Sequence, residues 1–149
     1  MTCTRNWKKA LSFGLIGALA LLTMPLMNES ANTSANALMA PGIKITVVPP
    51  RGPGGADSPM VTIGGTANGV DFSKHKVVVY VRTDKWYVQP FANNPYTNIA
   101  DDGKWENDTR LGHEYAALLV KSSYPPPPQP RVLPQVGGEV LATFRVEGK

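Results

Sequence analysis

Aromatic side chains are the residues of this sequence with the clearest chemical potential. Five of them lie within twenty positions, in or beside predicted loops: Trp86, Tyr87, Phe91, Tyr96 and Trp105. Flat apolar rings can stack on the C–H faces of sugar rings, and amide side chains such as that of Asn94 can bind the hydroxyl groups. The pattern therefore predicts a ligand-binding site made of Trp86, Tyr87, Tyr96 and Asn94.

A competing interpretation places a tryptophan in the core, because sandwich domains commonly bury one. Trp105 is the better core candidate, since it follows a turn and starts a predicted strand. Trp86 and Tyr87 are adjacent, so in a strand they point to opposite faces and cannot both be buried on one side. The sequence leaves open whether Trp86 faces solvent or the core.

Catalysis and metal binding have little support in the sequence. His75 and His113 are the only histidines, and a zinc site needs three or four converging ligands. Ser122-Ser123 lies outside any Gly-x-Ser-x-Gly elbow. The acidic residues around Asp101 do not match the calcium-loop pattern, which favours a solvated turn. We therefore predict a protein that is not an enzyme and has no metal and no cofactor.

Residues 1–37 predict a secretory signal peptide. A basic start precedes an almost wholly apolar run over residues 10–22, and Ala35-Asn36-Ala37 has the small-x-small pattern of a signal-peptidase site. An uncleaved membrane anchor is the alternative, although Pro25 falls where a spanning helix would have to continue. We expect a secreted, periplasmic or cell-envelope protein that meets a membrane only if the leader is uncleaved.

The predicted mature domain, residues 38–149, has little net charge. It holds 12 of the 15 Lys and Arg residues and 10 of the 11 Asp and Glu residues, which gives a formal net charge of +2. It has no Lys/Arg cluster, so we expect no nucleic-acid partner. The only cysteine, Cys3, precedes it, so the domain would have neither a disulfide bond nor a cysteine metal site.

The strongest strand signal is the run rich in Val and Tyr over residues 76–82. Val77, Val79 and Val81 would point to one face, and Val78 and Tyr80 to the other. A strand that is apolar on both faces is typically central. Three polar residues follow before the chain resumes at Trp86, which predicts a hairpin.

Other segments complete a predicted all-β domain. Residues 114–120 also suit a helix by composition, but their short length before a proline block favours a strand. In the last strand, Val140, Ala142, Phe144 and Val146 would share one face. About seven short strands, separated by turn signals, predict an antiparallel β-sandwich of immunoglobulin-like type. The other predicted strands are residues 43–48, 60–67, 86–89, 104–107 and 139–147, and residues 97–99 suit a further short strand.

Special residues mark the connections and the strand irregularities. Gly64-Gly65 predicts a β-bulge or a close backbone approach, and Gly103 is expected to supply a positive φ in a turn. The proline block over residues 124–130 reads as a rigid connection between strands or as a segment for a proline-binding partner. Asn107-Asp108-Thr109 has the form of a glycosylation acceptor.

The middle of the chain resembles an accessory β-sandwich domain of exported bacterial proteins, often found beside glycoside hydrolase modules. The resemblance covers about fifty residues. It implies a non-catalytic module that binds or positions polysaccharide, although this chain carries no hydrolase module. The motifs that carry it are Gly69-Val70-Asp71, residues 76–80, residues 86–90, Pro95-Tyr96-Thr97, Asp102-Gly103-Lys104-Trp105 and residues 115–120.

Two functional hypotheses follow from these features. The first is a secreted, non-catalytic β-sandwich that binds carbohydrate through Trp86, Tyr87 and Tyr96. The alternative is a structural or protein-interaction module of the cell envelope, in which the same aromatic residues pack or meet a protein partner.

Overall fold

The computed structural model describes residues 39–149, which form an all-β domain. Within this range no segment is helical, so no helix could span a membrane. The predicted leader, residues 1–37, lies outside the described residues. The eight strands are β1 (Gly42–Val47), β2 (Met60–Asn68), β3 (His75–Arg82), β4 (Trp86–Gln89), β5 (Tyr96–Thr97), β6 (Lys104–Arg110), β7 (Glu114–Lys121) and β8 (Val140–Glu147).

The strands form two antiparallel sheets that pack face to face as a β-sandwich. The smaller sheet has the order β1-β2-β6, and the larger has the order β4-β3-β7-β8. The short β5 pairs with β3 next to β4, opposite Val77 and Val78. The predicted hairpin of β3 and β4 is confirmed, with Arg82 opposite Trp86. The strand interpretation of residues 114–120 is also confirmed, because β7 pairs with β3 and β8 along its whole length.

Strand β3 is buried on both faces, as its sequence predicts. Val77, Val79 and Val81 belong to the apolar cluster between the sheets, which we call the inner core. Val78 and Tyr80 belong to a second cluster on the opposite face of the larger sheet, which we call the outer core. Trp105 of β6 is 3% exposed in the inner core, so its predicted core position is confirmed.

A long connection between β7 and β8 covers the outer core. We call this connection, residues 122–139, the strap. The hydroxyl of Tyr80 donates to the carbonyl oxygen of Pro127 at 2.9 Å, and Leu133 is buried against the outer core. The amides of Trp86 and Val88 donate to the carbonyls of Pro130 and Pro128 at 3.2 and 3.0 Å. The strap therefore shields the outer face and satisfies amides at the free edge of β4.

A bulge in β8 changes which face its first residue occupies. Leu119 pairs with Ala142, but Val120 pairs with Val140, so Leu141 is an extra residue in the ladder. Val140 therefore joins the outer core, while Ala142, Phe144 and Val146 pack on the inner core. The prediction that Val140 shares a face with the other three is wrong, because an inserted residue reverses the alternation.

Glycine pairs permit a close approach in the smaller sheet. The register of β1 against β2 shifts between Ile45 and Val47, opposite Gly65 and Gly64. A Cβ atom on Gly65 would collide with the carbonyl oxygen of Lys44. The predicted close backbone approach is therefore confirmed, while the register shift inserts its extra residue, Thr46, in β1 opposite the glycine pair. The predicted turn at Gly103 is confirmed as well, with φ of 81°.

Candidate functional site

Trp86 lies in the outer core and is 4% exposed. The guanidinium groups of Arg82 and Arg145 lie 5.9 and 5.2 Å from its ring centroid, within the range of cation–π contact. Both arginines are held by the carboxylate of Glu114 on β7. Trp86 is therefore a packing residue in this structure, covered by an Arg-Glu-Arg row.

Tyr96 and Asn94 make contacts with different parts of the structure. Tyr96 is opposite Val78, a residue of the outer core, and its hydroxyl donates to the carbonyl oxygen of Tyr124 at 2.7 Å. Asn94 is exposed, and its backbone amide closes a loop by donating to Phe91 at 3.1 Å. Tyr96 thus anchors the strap, while Asn94 shapes the loop after β4.

Tyr87 points to the other side of β4 and packs at the margin of the inner core. There it lines a cleft of about 820 Å³. One wall of the cleft is β4 with the loop that follows it, including Phe91, and the other is the β1–β2 loop over residues 53–56. Phe91 is 54% exposed, so much of this residue is accessible to a ligand. The structure therefore brings Tyr87 together with Phe91 and not with Trp86 or Tyr96.

Asp84 supplies a carboxylate beside the Tyr87 ring. Its Oδ1 accepts hydrogen bonds from the hydroxyls of Thr83 at 2.9 Å and Tyr87 at 3.0 Å. The bonds from Thr83 and Tyr87 hold the pKa of Asp84 below its ordinary value. Donation to Asp84 in turn raises the pKa of Tyr87. The cleft thus presents an ionised acceptor next to an aromatic ring at neutral pH.

Gln89 joins the two sheets behind the cleft. It is buried, and its Oε1 accepts from the amide of Arg110 on β6 at 3.0 Å. Its Nε2 donates to the carbonyl oxygen of Val88 at 3.1 Å. The buried amide therefore makes hydrogen bonds with both of its polar atoms, which fixes the spacing of β4 and β6 at the floor of the cleft.

The β1–β2 loop is tied to the same floor. The guanidinium of Arg110 donates to the carbonyls of Ala56 and Ser58, the latter at 2.8 Å. Gly54 has a φ of 77°, and a Cβ atom there would collide with the side chain of Thr83. The loop therefore packs directly against the β3–β4 turn, and the side chain of Arg110 holds this wall of the cleft through the loop carbonyls.

Few titratable side chains line the cleft. Its titratable side chains are Asp84, Tyr87 and Arg110, and Arg110 is engaged by loop carbonyls. No group of three or more His, Cys, Asp or Glu residues within residues 39–149 is arranged to hold a metal ion. An aromatic ring next to a carboxylate suits stacking combined with hydrogen bonds to hydroxyl donors.

Sequence reasoning missed several residues of this cleft. Phe91 belongs to the aromatic group noted in the sequence, but no local signal distinguishes it from Tyr96. Arg110 and residues 53–56 are more than fifty positions apart along the chain and meet only in the fold. The only available signal was the glycine and proline content around residues 53–56. This composition predicts a loop, but it does not predict which part of the fold the loop contacts.

The glycosylation pattern at Asn107-Asp108-Thr109 lies within β6. The Asn107 amide donates to Thr97 Oγ1 at 2.6 Å, and Thr109 is fully buried. A glycan acceptor needs an accessible asparagine in a surface segment, so this structure disfavours modification of the folded domain.

No protein-family model, curated protein or solved structure matches this chain. The resemblance to an accessory domain therefore remains a prediction from the sequence.

Proposed function

We propose that this chain is an exported, non-catalytic β-sandwich module of immunoglobulin-like type that binds carbohydrate in the cleft beside Tyr87 and Phe91. Export rests on the predicted leader of residues 1–37. The fold type rests on the strand order, and the ligand class rests on the side chains that line the cleft.

Strand order supports the immunoglobulin-like type. The orders β1-β2-β6 and β4-β3-β7-β8 correspond to an A-B-E sheet and a C′-C-F-G sheet. Tyr115, near the start of β7, accepts from the amide of Gly112 at 3.0 Å and donates to Pro50 at 2.7 Å. A tyrosine at this place, bonded to the backbone a few residues upstream, resembles the tyrosine corner of such domains.

The pairing of exposed aromatic surface with a fixed carboxylate carries the carbohydrate proposal. The cleft volume of about 820 Å³ lies within the range of small-ligand sites, roughly 300–1,000 Å³. Tyr87 and Phe91 offer ring surface for the apolar face of a sugar, while Asp84 accepts from hydroxyl groups. Trp86 does not offer exposed ring surface, because its ring is already covered by two arginines, and the nearby carboxylate of Glu114 is engaged by both of them.

Binding to insoluble polysaccharides tests the proposal. Wild-type protein is incubated with cellulose, chitin, xylan, mannan and peptidoglycan, and the retained fraction is measured. We expect Phe91→Ala to weaken retention on the best ligand by about tenfold, the equivalent of about 1.4 kcal/mol. The thermal midpoint should stay unchanged, because the Phe91 ring is largely exposed.

Val132→Ala is the matched control, since Val132 is an exposed apolar residue of the strap. It should bind as the wild type does. Equal binding by Phe91→Ala and wild type would remove the cleft from the proposal. Retention on none of the polysaccharides would contradict carbohydrate binding and favour the alternative, a protein-interaction module of the envelope. That alternative is supported by Val132 and Val136, which the strap presents at 72% and 61% exposure.

A further inference from the structure

Two charged residues of the β3–β4 turn hold the ring of Tyr87. The ammonium of Lys85 lies over this ring, 5.5 Å from its centroid, which is within the range of cation–π contact. Asp84 accepts a hydrogen bond from the hydroxyl at the tip of the ring, at 3.0 Å. One contact therefore acts on the face of the ring, and the other acts on its polar end.

The positions of Lys85 and Tyr87 along the chain account for this contact. The two residues are two positions apart, so their side chains leave an extended chain on the same side. Trp86, which lies between them, points instead to the outer core. The amide of Thr83 donates to the carbonyl oxygen of Lys85 at 3.1 Å. This hydrogen bond closes the turn and holds the backbone of Lys85 beside the ring.

The ring is a contact for a lysine that has no carboxylate partner. Lys85 makes no ion pair within residues 39–149, although it is only half-exposed. An aromatic face attracts a cation electrostatically, and burial of the lysine stem along apolar surface adds to the contact. No acidic group in the described part of the chain therefore draws the ammonium away from Tyr87.

The ammonium covers the ring from outside the cleft. Asp84 and Tyr87 both line the cleft, whereas Lys85 does not. A sugar in the cleft and the ammonium of Lys85 would therefore use different parts of the Tyr87 ring. The contact with Lys85 supports the ring without occupying the surface that a ligand needs.

Such support has a direct effect on affinity. Tyr87 is half-buried on a strand of only four residues, and its cross-strand partner Val81 packs in the inner core on the same face. A partly exposed side chain that becomes ordered only on binding loses conformational entropy, which weakens binding. Contacts that hold the ring beforehand remove this loss.

We propose that Lys85 is a positioning residue of the carbohydrate cleft. Its ammonium, together with Asp84, holds the Tyr87 ring in the orientation in which it stacks on a sugar. This inference rests on the proposed function, because an ordered ring increases affinity only where the cleft takes a sugar. It gives a role in binding to a lysine that does not line the cleft.

Binding isotherms on cellulose, chitin, xylan, mannan and peptidoglycan test this role with protein expressed from the full chain. Lys85→Met keeps an unbranched apolar side chain and removes the charge, so it should bind the best of these polysaccharides about two- to fivefold more weakly than wild type. Lys85→Arg should stay within about twofold, because a guanidinium also stacks on an aromatic ring. The thermal midpoint should be unchanged in both variants.

Lys121→Met is the matched control. It removes the same charge from an exposed lysine that makes no ion pair within residues 39–149. Lys121 lies opposite His75, at the end of β3 away from the cleft. This variant should bind as wild type does. Equal weakening by Lys85→Met and Lys121→Met would overturn the proposal, because the effect would then come from overall charge.

A second measurement reports on the ring without any polysaccharide. The three-bond Hα–Hβ couplings of Tyr87, measured by NMR, should indicate one χ1 rotamer in wild type and in Lys85→Arg. They should indicate averaging between rotamers in Lys85→Met. Unchanged couplings in Lys85→Met, or binding by this variant equal to that of wild type, would overturn the positioning role.

The outcomes also separate this inference from the proposed function. Weakened binding by Phe91→Ala but not by Lys85→Met would leave carbohydrate binding in the cleft intact and overturn only the role of Lys85. Retention of wild type on none of the five polysaccharides would overturn the proposed function and, with it, this inference.

Discussion

The adjacent residues Trp86 and Tyr87 make different contacts because their side chains point to opposite faces of β4. Trp86 packs in the outer core beneath Arg82 and Arg145. Tyr87 reaches the cleft and hydrogen-bonds to Asp84. A substitution at the first should therefore change stability, while a substitution near the second should change binding.

We expect Trp86→Ala to lower the free energy of unfolding by about 3–5 kcal/mol, the range for large aromatic truncations in cores. The physical reason is the loss of a buried ring and of its contacts with two cations. Urea denaturation measures the change. Phe91→Ala serves as the control and should stay within about 0.5 kcal/mol of wild type. An unchanged urea midpoint for Trp86→Ala would show that this ring contributes no core packing.

At the scale of elements, the strap determines whether the outer face of the larger sheet is buried. Without it, the outer faces of β3, β4 and β7 would present a continuous apolar surface that includes Tyr80, Leu118 and Val120. The strap covers this surface with Leu133 and satisfies the Tyr80 hydroxyl. It also supplies Pro128 and Gln129 to the cleft wall. The connection is therefore a third layer of the domain.

Neighbouring strap residues provide a sharp test of that layer. Leu133 is 6% exposed and Val132 is 72% exposed. We expect Leu133→Ala to cost about 2–3 kcal/mol of unfolding free energy, since it leaves a cavity over the outer core. Val132→Ala should change it by less than about 0.5 kcal/mol. Similar values for both variants, obtained by urea denaturation, would mean that the strap is not packed on the sheet.

At the scale of the whole molecule, the candidate cleft lies at one end of the buried strand β3. β3 has eight residues, a length of about 23 Å at roughly 3.3 Å per residue. The cleft adjoins its end at Arg82. Substitutions at its start, near His75, should therefore leave binding in the cleft unaffected, because distant sites behave independently.

Three strands of the larger sheet are also linked by one carboxylate, which makes stability depend on pH. Burial raises the pKa of Glu114, but hydrogen bonds from Arg82 and Arg145 outweigh burial and hold it below its ordinary value of 4.5. A lowered pKa in the folded state stabilises the fold above that ordinary value. The contribution is lost as the pH falls through the folded pKa.

We therefore expect Glu114→Gln to be less stable than wild type by about 1 kcal/mol at pH 7, in keeping with exposed arginine partners. The difference should shrink toward zero at pH 3, where the wild-type carboxyl is increasingly protonated. Urea denaturation at both pH values measures it. Glu106→Gln, at an exposed position of β6, is the control at pH 7 and should change the free energy of unfolding by less than about 0.5 kcal/mol. A difference for Glu114→Gln that is constant between pH 7 and pH 3 would contradict the role of the ion pairs.

Strand identity and the alternation of side chains were predictable because they depend on neighbouring residues. Val77, Val79 and Val81 face the inner core as their period of two requires. The turn at Gly103 and the glycine pair at Gly64-Gly65 followed from backbone geometry that favours glycine. The face of Val140 was not predictable in this way, because a one-residue bulge reverses the alternation of side chains without a clear local signal.

The sequence by itself determined that the chain forms short antiparallel strands and that Trp105 enters the core. It also determined that the side chains of Trp86 and Tyr87 point to opposite faces of one strand. Only the tertiary structure decided that Trp86 is covered, because its cover comes from Arg145 and the strap, both remote in the chain. It also decided that Tyr87 shares a cleft with Phe91 and residues 53–56. Alternation assigns a side chain to a face, but burial of that face depends on which distant segment packs there.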